Sequence, residues 1–227
     1  MRAPISVIIP TLNAGADLPA CLMTLGEGLK EGVIRELIIS DGGSTDTTLE
    51  TAAAAGADVV TGPPSRGAQL RRGADAAQGD WLLFLHADSQ LSQGWTGPVL
   101  DHLARDTAAC FCLAFRSRHP MARLTAAWAN LRSRMFNLPY GDQGLLIPRA
   151  LYEGIGGYPD QPLMEDVAIA RALGTLRVLP VTTTTSAEKY IRDGWLRRGL
   201  RNITTLLRYL LGTSPETLAK SYQRPRS

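Results

Sequence analysis

The chain of 227 residues is poor in several things at once, and each shortage removes a class of protein. It has three cysteines, Cys21, Cys110 and Cys112, an odd number with no C-x-x-C spacing. That excludes a disulfide framework and a zinc knuckle. The three read as reduced, buried thiols, with Cys110 and Cys112 on one face of a strand, as expected of a cytoplasmic protein. No run of 18 or more apolar residues occurs, so no membrane span is expected. The chain enters a strand-like run at Ile5 without a separate apolar leader and cleavage site. The net charge of +3 is too small to point to nucleic acid. No G-x-G-x-x-G follows a strand, which argues against a nicotinamide-binding enzyme. Pro10-Thr-Leu-Asn-Ala-Gly15 also lacks the glycine cluster of a nucleotidyltransferase phosphate loop. Repeats and low-complexity tracts are missing too.

What is present is ordinary globular material. Apolar residues make up 44% and charged residues 20%, enough for a core and too little charge for disorder. The length fits one domain, 1–227, with 190–227 as a C-terminal helical extension. In the first half, apolar β-branched runs alternate with helical patterns. Strands are expected at Ile5–Pro10, Glu36–Ser40, Ala57–Thr61 and Trp81–Leu85, and helices at Ala16–Leu29, Thr45–Ala55 and Gly67–Gln78. That alternation implies a parallel sheet covered on both faces. The second half is less regular. Strands are expected at Ala109–Phe115, Gly144–Pro148 and Leu176–Pro180, and helices at Met121–Phe136, Met164–Leu173 and Trp195–Leu211. Thr182–Thr185 reads as a strand end or loop.

Ligands of such sheets bind beyond the carboxyl ends of the strands. Asp41 follows Glu36-Leu-Ile-Ile-Ser40 and precedes Gly42 and Gly43, which allow a ligand close to the backbone. The competing reading is a helix cap, but Ser44, Thr45 and Asp46 can cap, which leaves Asp41 free for a base or ribose. His86-Ala-Asp88 follows the apolar strand Trp81–Leu85. If the extended geometry continues, residues i and i+2 face one way and could share a divalent cation bridging a diphosphate. The alternative is a His in a turn and an Asp capping the next segment. Glu165 and Asp166 open a helix, where acids complement the dipole. One of them near an acceptor hydroxyl would instead act as a general base. Gly141-Asp-Gln-Gly144 reads either as a tight loop at a ligand or as a plain hairpin turn.

Seven segments in order resemble a family-2 glycosyltransferase of the GT-A fold, an α/β fold with a mixed central sheet and helices on both faces. They are Ser6–Asn13, Glu36–Asp46, Arg66-Gly-Ala-Gln69, Gly79–Ser89, Gly141–Gly144, Gly156-Gly-Tyr158 and Met164–Val167. The compact form resembles a bacterial branch associated with radical-SAM genes. The resemblance implies an inverting hexosyl- or related glycosyltransferase that moves a sugar from a nucleotide-diphospho-sugar, a UDP-sugar by preference, to an acceptor hydroxyl. It implies that Pro10, Thr11, Asn13, Asp41, Gly42, Arg66, Arg71 and Ala87 edge the nucleotide. Asp88, with His86, would hold Mg²⁺ or Mn²⁺. Asp142 and Gln143 would lie in the sugar or acceptor loop. Asp166 would be the base, with Glu165 supporting it. Three departures stand out. His86 replaces the first acid of D-x-D, Arg71 stands where relatives often carry Asn, and no His follows residue 119 to act as a third metal ligand. The alternatives are a nucleotidyltransferase and a catalytically silent nucleotide-sugar-binding protein of the same fold.

Arginines are dense from Arg116 to Arg134 and from Arg192 to Arg208. On Trp195–Leu211, Leu196, Leu200, Ile203, Leu207, Leu210 and Leu211 share one face, with Arg197, Arg201 and Arg208 opposite. The first reading packs the apolar face on the domain and solvates the arginines. The second is a peripheral contact of residues 195–211 with the inner face of a membrane, or a site for a lipid-linked acceptor.

Overall fold

The computed structural model describes residues 3–223. In chain order the elements are β1 (Ile5–Thr11), α1 (Leu18–Lys30), β2 (Ile34–Asp41), α2 (Thr48–Ala54), β3 (Asp58–Thr61) and α3 (Arg66–Ala76). There follow β4 (Trp81–Phe84), β5 (Gln90–Leu91), α4 (Thr96–Leu103), β6 (Ala109–Phe115) and α5 (Pro120–Phe136). A 3₁₀ turn, Gly141–Gln143, leads into β7 (Leu145–Pro148) and α6 (Arg149–Gly154). The chain continues through α7 (Glu165–Leu173), β8 (Arg177–Thr185), α8 (Glu188–Asp193), α9 (Trp195–Leu210) and α10 (Pro215–Gln223).

The strands form one eight-stranded sheet in the order β3-β2-β1-β4-β7-β6-β8-β5. The first half is parallel throughout, as the strand–helix alternation implies. Beyond β4 the sheet is mixed: β7 is antiparallel to β4 and β6, while β8 is parallel to β6. Side chains alternate across the sheet with the period of two. Ile5, Val7 and Ile9 join Leu83 and Leu146 on one face, and Ile8 joins Leu82, Phe84 and Ile147 on the other. Both faces are buried, so the central strands read as continuous apolar runs.

Close packing sets where α3 lies. A Cβ at Gly73 would sit 2.5 Å from Ile8 Cγ2, so glycine lets α3 settle directly on β1. Helix α5 starts at Pro120, with the His119 ring accepting from the Met121 N–H, and stops at Asn137 in the left-handed region. Cys21 and Cys110 are buried without disulfides, and burial pushes both thiols up to about 12. Cys112 is half-buried, and a register shift between Cys110 and Cys112 breaks the simple alternation expected there.

Two expectations are corrected. The extended geometry ends at Phe84. His86–Asp88 is a turn closed by the Ser89 N–H donating to the His86 carbonyl at 3.0 Å. The C-terminal helix also packs the opposite way round. Leu196, Leu200, Ile203, Leu207, Leu210 and Leu211 are all exposed, while Trp195 and Thr205 are buried and Arg198 is half-buried against the domain. Within the C-terminal segment, α10 also packs on the domain. Leu218 is fully buried with Met164 and Val167.

Candidate functional site

Two loops at the carboxyl ends of β1 and β2 are tied into one unit. The Asn13 N–H donates to Ser44 Oγ at 2.8 Å, and the Asn13 side-chain oxygen accepts from the Thr45 N–H at 2.9 Å. Asn13 does this from the left-handed region, φ 51°, which its short polar side chain tolerates. Gln69 of α3 pins the strand ends from behind. Its amide donates to the carbonyls of Thr11 (2.7 Å) and Ser40 (3.0 Å). A Cβ on Gly42 would press on that amide at 3.2 Å, so the glycine leaves it room to sit close.

Asp41 is at the centre of the unit and is fully buried. Its Oδ1 accepts from Thr11 Oγ1 at 2.8 Å and from Ser44 Oγ at 2.5 Å. Its Oδ2 accepts the N–H groups of Gly43 and Ser44, both at 2.7 Å. A carboxylate has about four acceptor directions, and all four are taken. Desolvation pushes its pKa up, but the hydrogen bonds from Ser44, Thr11 and Gly43 outweigh that and hold it below the ordinary range. The expectation of a free carboxylate is therefore corrected: Asp41 shapes the loop, and any base contact would have to displace one of these bonds. Arg71 is exposed, and its Nη1 donates to the Tyr158 carbonyl at 3.2 Å. Pro10 and Ala87 are half-buried beside these loops.

A cleft of about 780 Å³, its open mouth included, lies at the carboxyl end of β4. Arg66, His86, Asp88, Asp142, Glu165 and Asp166 line it, brought together from four separate segments of the chain. Asp166 Oδ2 accepts the Gly141 N–H at 2.8 Å, and its Oδ1 accepts the Val167 N–H at 2.8 Å. Each oxygen keeps a free lone-pair direction. Glu165 is buried, with Oε1 3.5 Å from Arg66 Nε and Oε2 without a partner. Burial raises its pKa, against the pull of Arg66. Arg66 is itself shifted upward: desolvation lowers it, but Glu165, Asp166 and Asp142 more than compensate.

His86 Nδ1 lies 3.0 Å from Asp142 Oδ1, so the tautomer with the proton on Nδ1 donates to that carboxylate. Desolvation pushes Asp142 up, yet the hydrogen bond and charge of His86, with Arg66 and Lys189, bring it down to about 2. His86 Nε2 abuts Gly141, where an added Cβ would fall 2.5 Å away. With one nitrogen bonded and the other packed, His86 does not join Asp88 on a shared cation in this arrangement, which corrects that pairing. Asp88 differs. It lines the cleft, is half-buried, and its carboxylate has no hydrogen-bond partner among the described residues. A hard anionic oxygen donor of this kind suits Mg²⁺ or Mn²⁺. Among the described residues no three His, Cys, Asp or Glu side chains converge as a ready cage. A cation here would therefore complete its shell from diphosphate and water.

Gln143 is corrected as well. It is fully buried, donating to the Phe111 carbonyl at 3.0 Å and accepting from Ser133 Oγ at 2.7 Å. Its amide is used inside the fold and faces no ligand. The far wall of the cleft holds residues that sequence reasoning missed: Tyr140, Lys189, Tyr190, Arg198, Asn202 and Tyr222. Asn202 Nδ2 donates to the Tyr190 hydroxyl at 3.0 Å, and the Tyr222 hydroxyl donates to Asn202 Oδ1 at 2.9 Å. Arg198 pairs with Asp193 at 2.7 Å. The sequence signal for Arg198 and Asn202 is their position off the apolar face of α9.

The profile of "Glycosyl transferase family 2" matches residues 6–145. The chain is 40% identical over 104 residues to a PGL/p-HBAD biosynthesis glycosyltransferase of Mycobacterium bovis BCG, covering 42% of this chain and 40% of that protein. It is 36% identical over 93 residues to glucosyl-3-phosphoglycerate synthase of Mycobacterium tuberculosis, covering 37% of this chain and 28% of that one. The chain thus spans two fifths or less of the length of these curated relatives. In structure it is similar to the same M. tuberculosis synthase, solved in complex with Mn²⁺, UDP and glucosyl-3-phosphoglycerate. The TM-score is 0.53 at 22% identity, with 80% of this chain and 71% of that chain covered. It is also similar to Staphylococcus aureus TarS residues 1–349, with TM-score 0.60, 14% identity and coverage of 88% and 64%. These structural likenesses establish the GT-A fold.

Proposed function

The chain belongs to glycosyl transferase family 2, and on that premise we propose that it moves a hexose or related sugar from a nucleotide-diphospho-sugar to an acceptor hydroxyl with inversion. The observation that carries the reading is the convergence of Arg66, Asp88 and the Glu165–Asp166 pair on one cleft. Thr11, Asn13 and Gly42 edge the nucleotide, and Asp41 holds their loop in shape. Asp88 would hold Mg²⁺ or Mn²⁺, which would supply positive charge to neutralise the departing diphosphate. Arg66, oriented by Glu165, adds a second positive charge there. Asp166 accepts the proton of the acceptor hydroxyl as its oxygen attacks the anomeric carbon from the face opposite the diphosphate. The C–O bond to the diphosphate breaks, and the nucleoside diphosphate leaves.

UDP is the favoured donor base, supported by structural neighbours solved with UDP and Mn²⁺ or Mg²⁺. A lipid-linked acceptor is the proposed class, because α9 offers its inner side to the cleft and an apolar side to solvent. The free thiols support a cytoplasmic location, and the compact form with its His86-x-Asp88 variant supports membership of the radical-SAM-associated branch. Asp142's hold on His86 favours one second reading, a nucleotide-sugar binder without turnover.

The test is a thermal-shift screen of UDP-, GDP-, CMP- and TDP-sugars with Mn²⁺ or EDTA, followed by donor-hydrolysis and transfer assays. A ligand at 100 times its dissociation constant stabilises by about 2.7 kcal/mol, which a shift reads easily. Asp88→Ala is expected to weaken the Mn²⁺-dependent shift more than the EDTA one. Equal losses in both conditions would remove the metal role.

A further inference from the structure

Helices α5 and α9 lie side by side. Met121 and Ala122 of α5 pack with Trp195, and Leu138 and Tyr140, just past the end of α5, share with Leu206 and Tyr209 the apolar cluster around Met164, Val167 and Leu218. Each helix turns an apolar stripe to solvent. On α5 the stripe is Leu124, Trp128, Leu131 and Met135, and on α9 it is Leu196, Leu200, Ile203 and Leu207. Leu124 and Leu200 are each more than 60% exposed, at 62% and 63%. Such stripes normally seek a core.

The charge around them is of one sign. Neither helix carries an Asp or Glu. At about 100° per residue, Arg123 and Arg134 fall on one edge of the α5 stripe, opposite the edge from which Arg132 reaches Tyr140. Arg197 and Arg208 fall on the edge of the α9 stripe opposite Leu206, which packs on the same buried cluster as Leu138 and Tyr140. All four of these arginines are exposed. The result is a two-helix apolar face with an arginine rim on each outer side. An apolar face lies between acyl chains, and arginines at its rim reach lipid phosphates.

We propose that the α5–α9 face docks on the surface of an anionic bilayer. It binds in the plane of the interface and spans nothing, in keeping with the finding that no described helix is long and apolar enough to cross a membrane. The opposite side of α9 supplies Arg198 and Asn202 to the cleft wall, so docking holds the cleft one helix away from the lipid. The surface alone supports the proposal, whatever reaction the cleft performs.

The experiment is co-sedimentation of the full chain with vesicles of equal parts phosphatidylcholine and phosphatidylglycerol, against pure phosphatidylcholine. Tryptophan emission is recorded in parallel. Trp81, Trp95 and Trp195 are buried, so a blue shift on binding reports Trp128 and is expected to vanish in Trp128→Phe. Binding to the anionic vesicles should fall about fivefold per arginine removed, hence about twenty-five-fold for Arg197→Gln/Arg208→Gln. Leu200→Glu/Leu207→Glu should abolish it while the circular dichroism spectrum stays unchanged, since both side chains are already exposed. Absence of binding to the anionic vesicles would overturn the proposal. So would equal binding to both vesicle types, or a concentration-dependent dimer that Leu200→Glu dissolves, because then a second copy covers the face.

Discussion

Asp41→Asn separates a loop-shaping residue from a base-reading one. The substitution keeps the side chain's size and one acceptor oxygen. If that oxygen stays on the N–H groups of Gly43 and Ser44, the new amide faces the hydroxyls of Thr11 and Ser44, which can rotate to accept. What is lost is charge. A hydrogen bond to an ionised group contributes about 1.5–3 kcal/mol against about 1 for a neutral one. Four such bonds are weakened together and non-additively, and the cost of burying a charge is removed. The net destabilisation is on the order of 1–3 kcal/mol. For a chain of this size that lowers Tm by about 2–12 °C. The effect depends on pH in a defined direction. The folded-state pKa of Asp41 is depressed, so its extra stability is present above the ordinary value of 3.8 and is lost as pH falls through the folded value. The gap in Tm between wild type and variant should therefore be full at neutral pH and narrow in acid. Differential scanning fluorimetry across pH reads the stability, and titration calorimetry with UDP reads the nucleotide. UDP affinity should stay within about threefold, because no free oxygen of Asp41 is available to a base. An unchanged Tm with a collapse in UDP affinity would refute the reasoning and return Asp41 to direct base contact.

Asp166→Asn should leave donor binding near wild type and lower transfer by about 10²–10⁴, the usual contribution of a general base. A collapse of donor affinity instead would mean that its main task is holding the Gly141 turn. Gly67→Ala places a Cβ 2.0 Å from the Pro159 carbonyl oxygen, a backbone atom that cannot swing away. Overpacking of this kind costs about 1–3 kcal/mol, so thermal melts should show a clear drop; an unshifted Tm would show that the loop 159–163 yields freely.

Much of the fold was legible because its signals are local. Continuous apolar runs in β1 and β4 that end in polar turns, and the glycines of the β2 loop, all act within a few residues. The parallel half of the sheet therefore followed from the strand–helix alternation. The elements that went unread, β5, α4, α6, α8 and α10, are short, and tertiary packing rather than strong periodicity fixes them. Residue types after β4 and at the starts of α3 and α7 were likewise readable, and the structure lines one cleft with Asp88, Arg66, Glu165 and Asp166.

Their partners were not readable. Whether a carboxylate is free depends on which donors the fold brings to it, and for Asp41 these include Thr11, thirty residues away. The same holds for His86, claimed by Asp142 from 56 residues away, and for Gln143, whose amide turns inward to Phe111. The sequence by itself determined the amphipathic pattern of α9, since 3.6-residue periodicity is a property of the chain. Only the tertiary structure decided which side of that helix faces the domain. Residues 198, 202 and 222 find hydrogen-bonding partners at the cleft, so the polar side packs inward and the leucines are left at the surface.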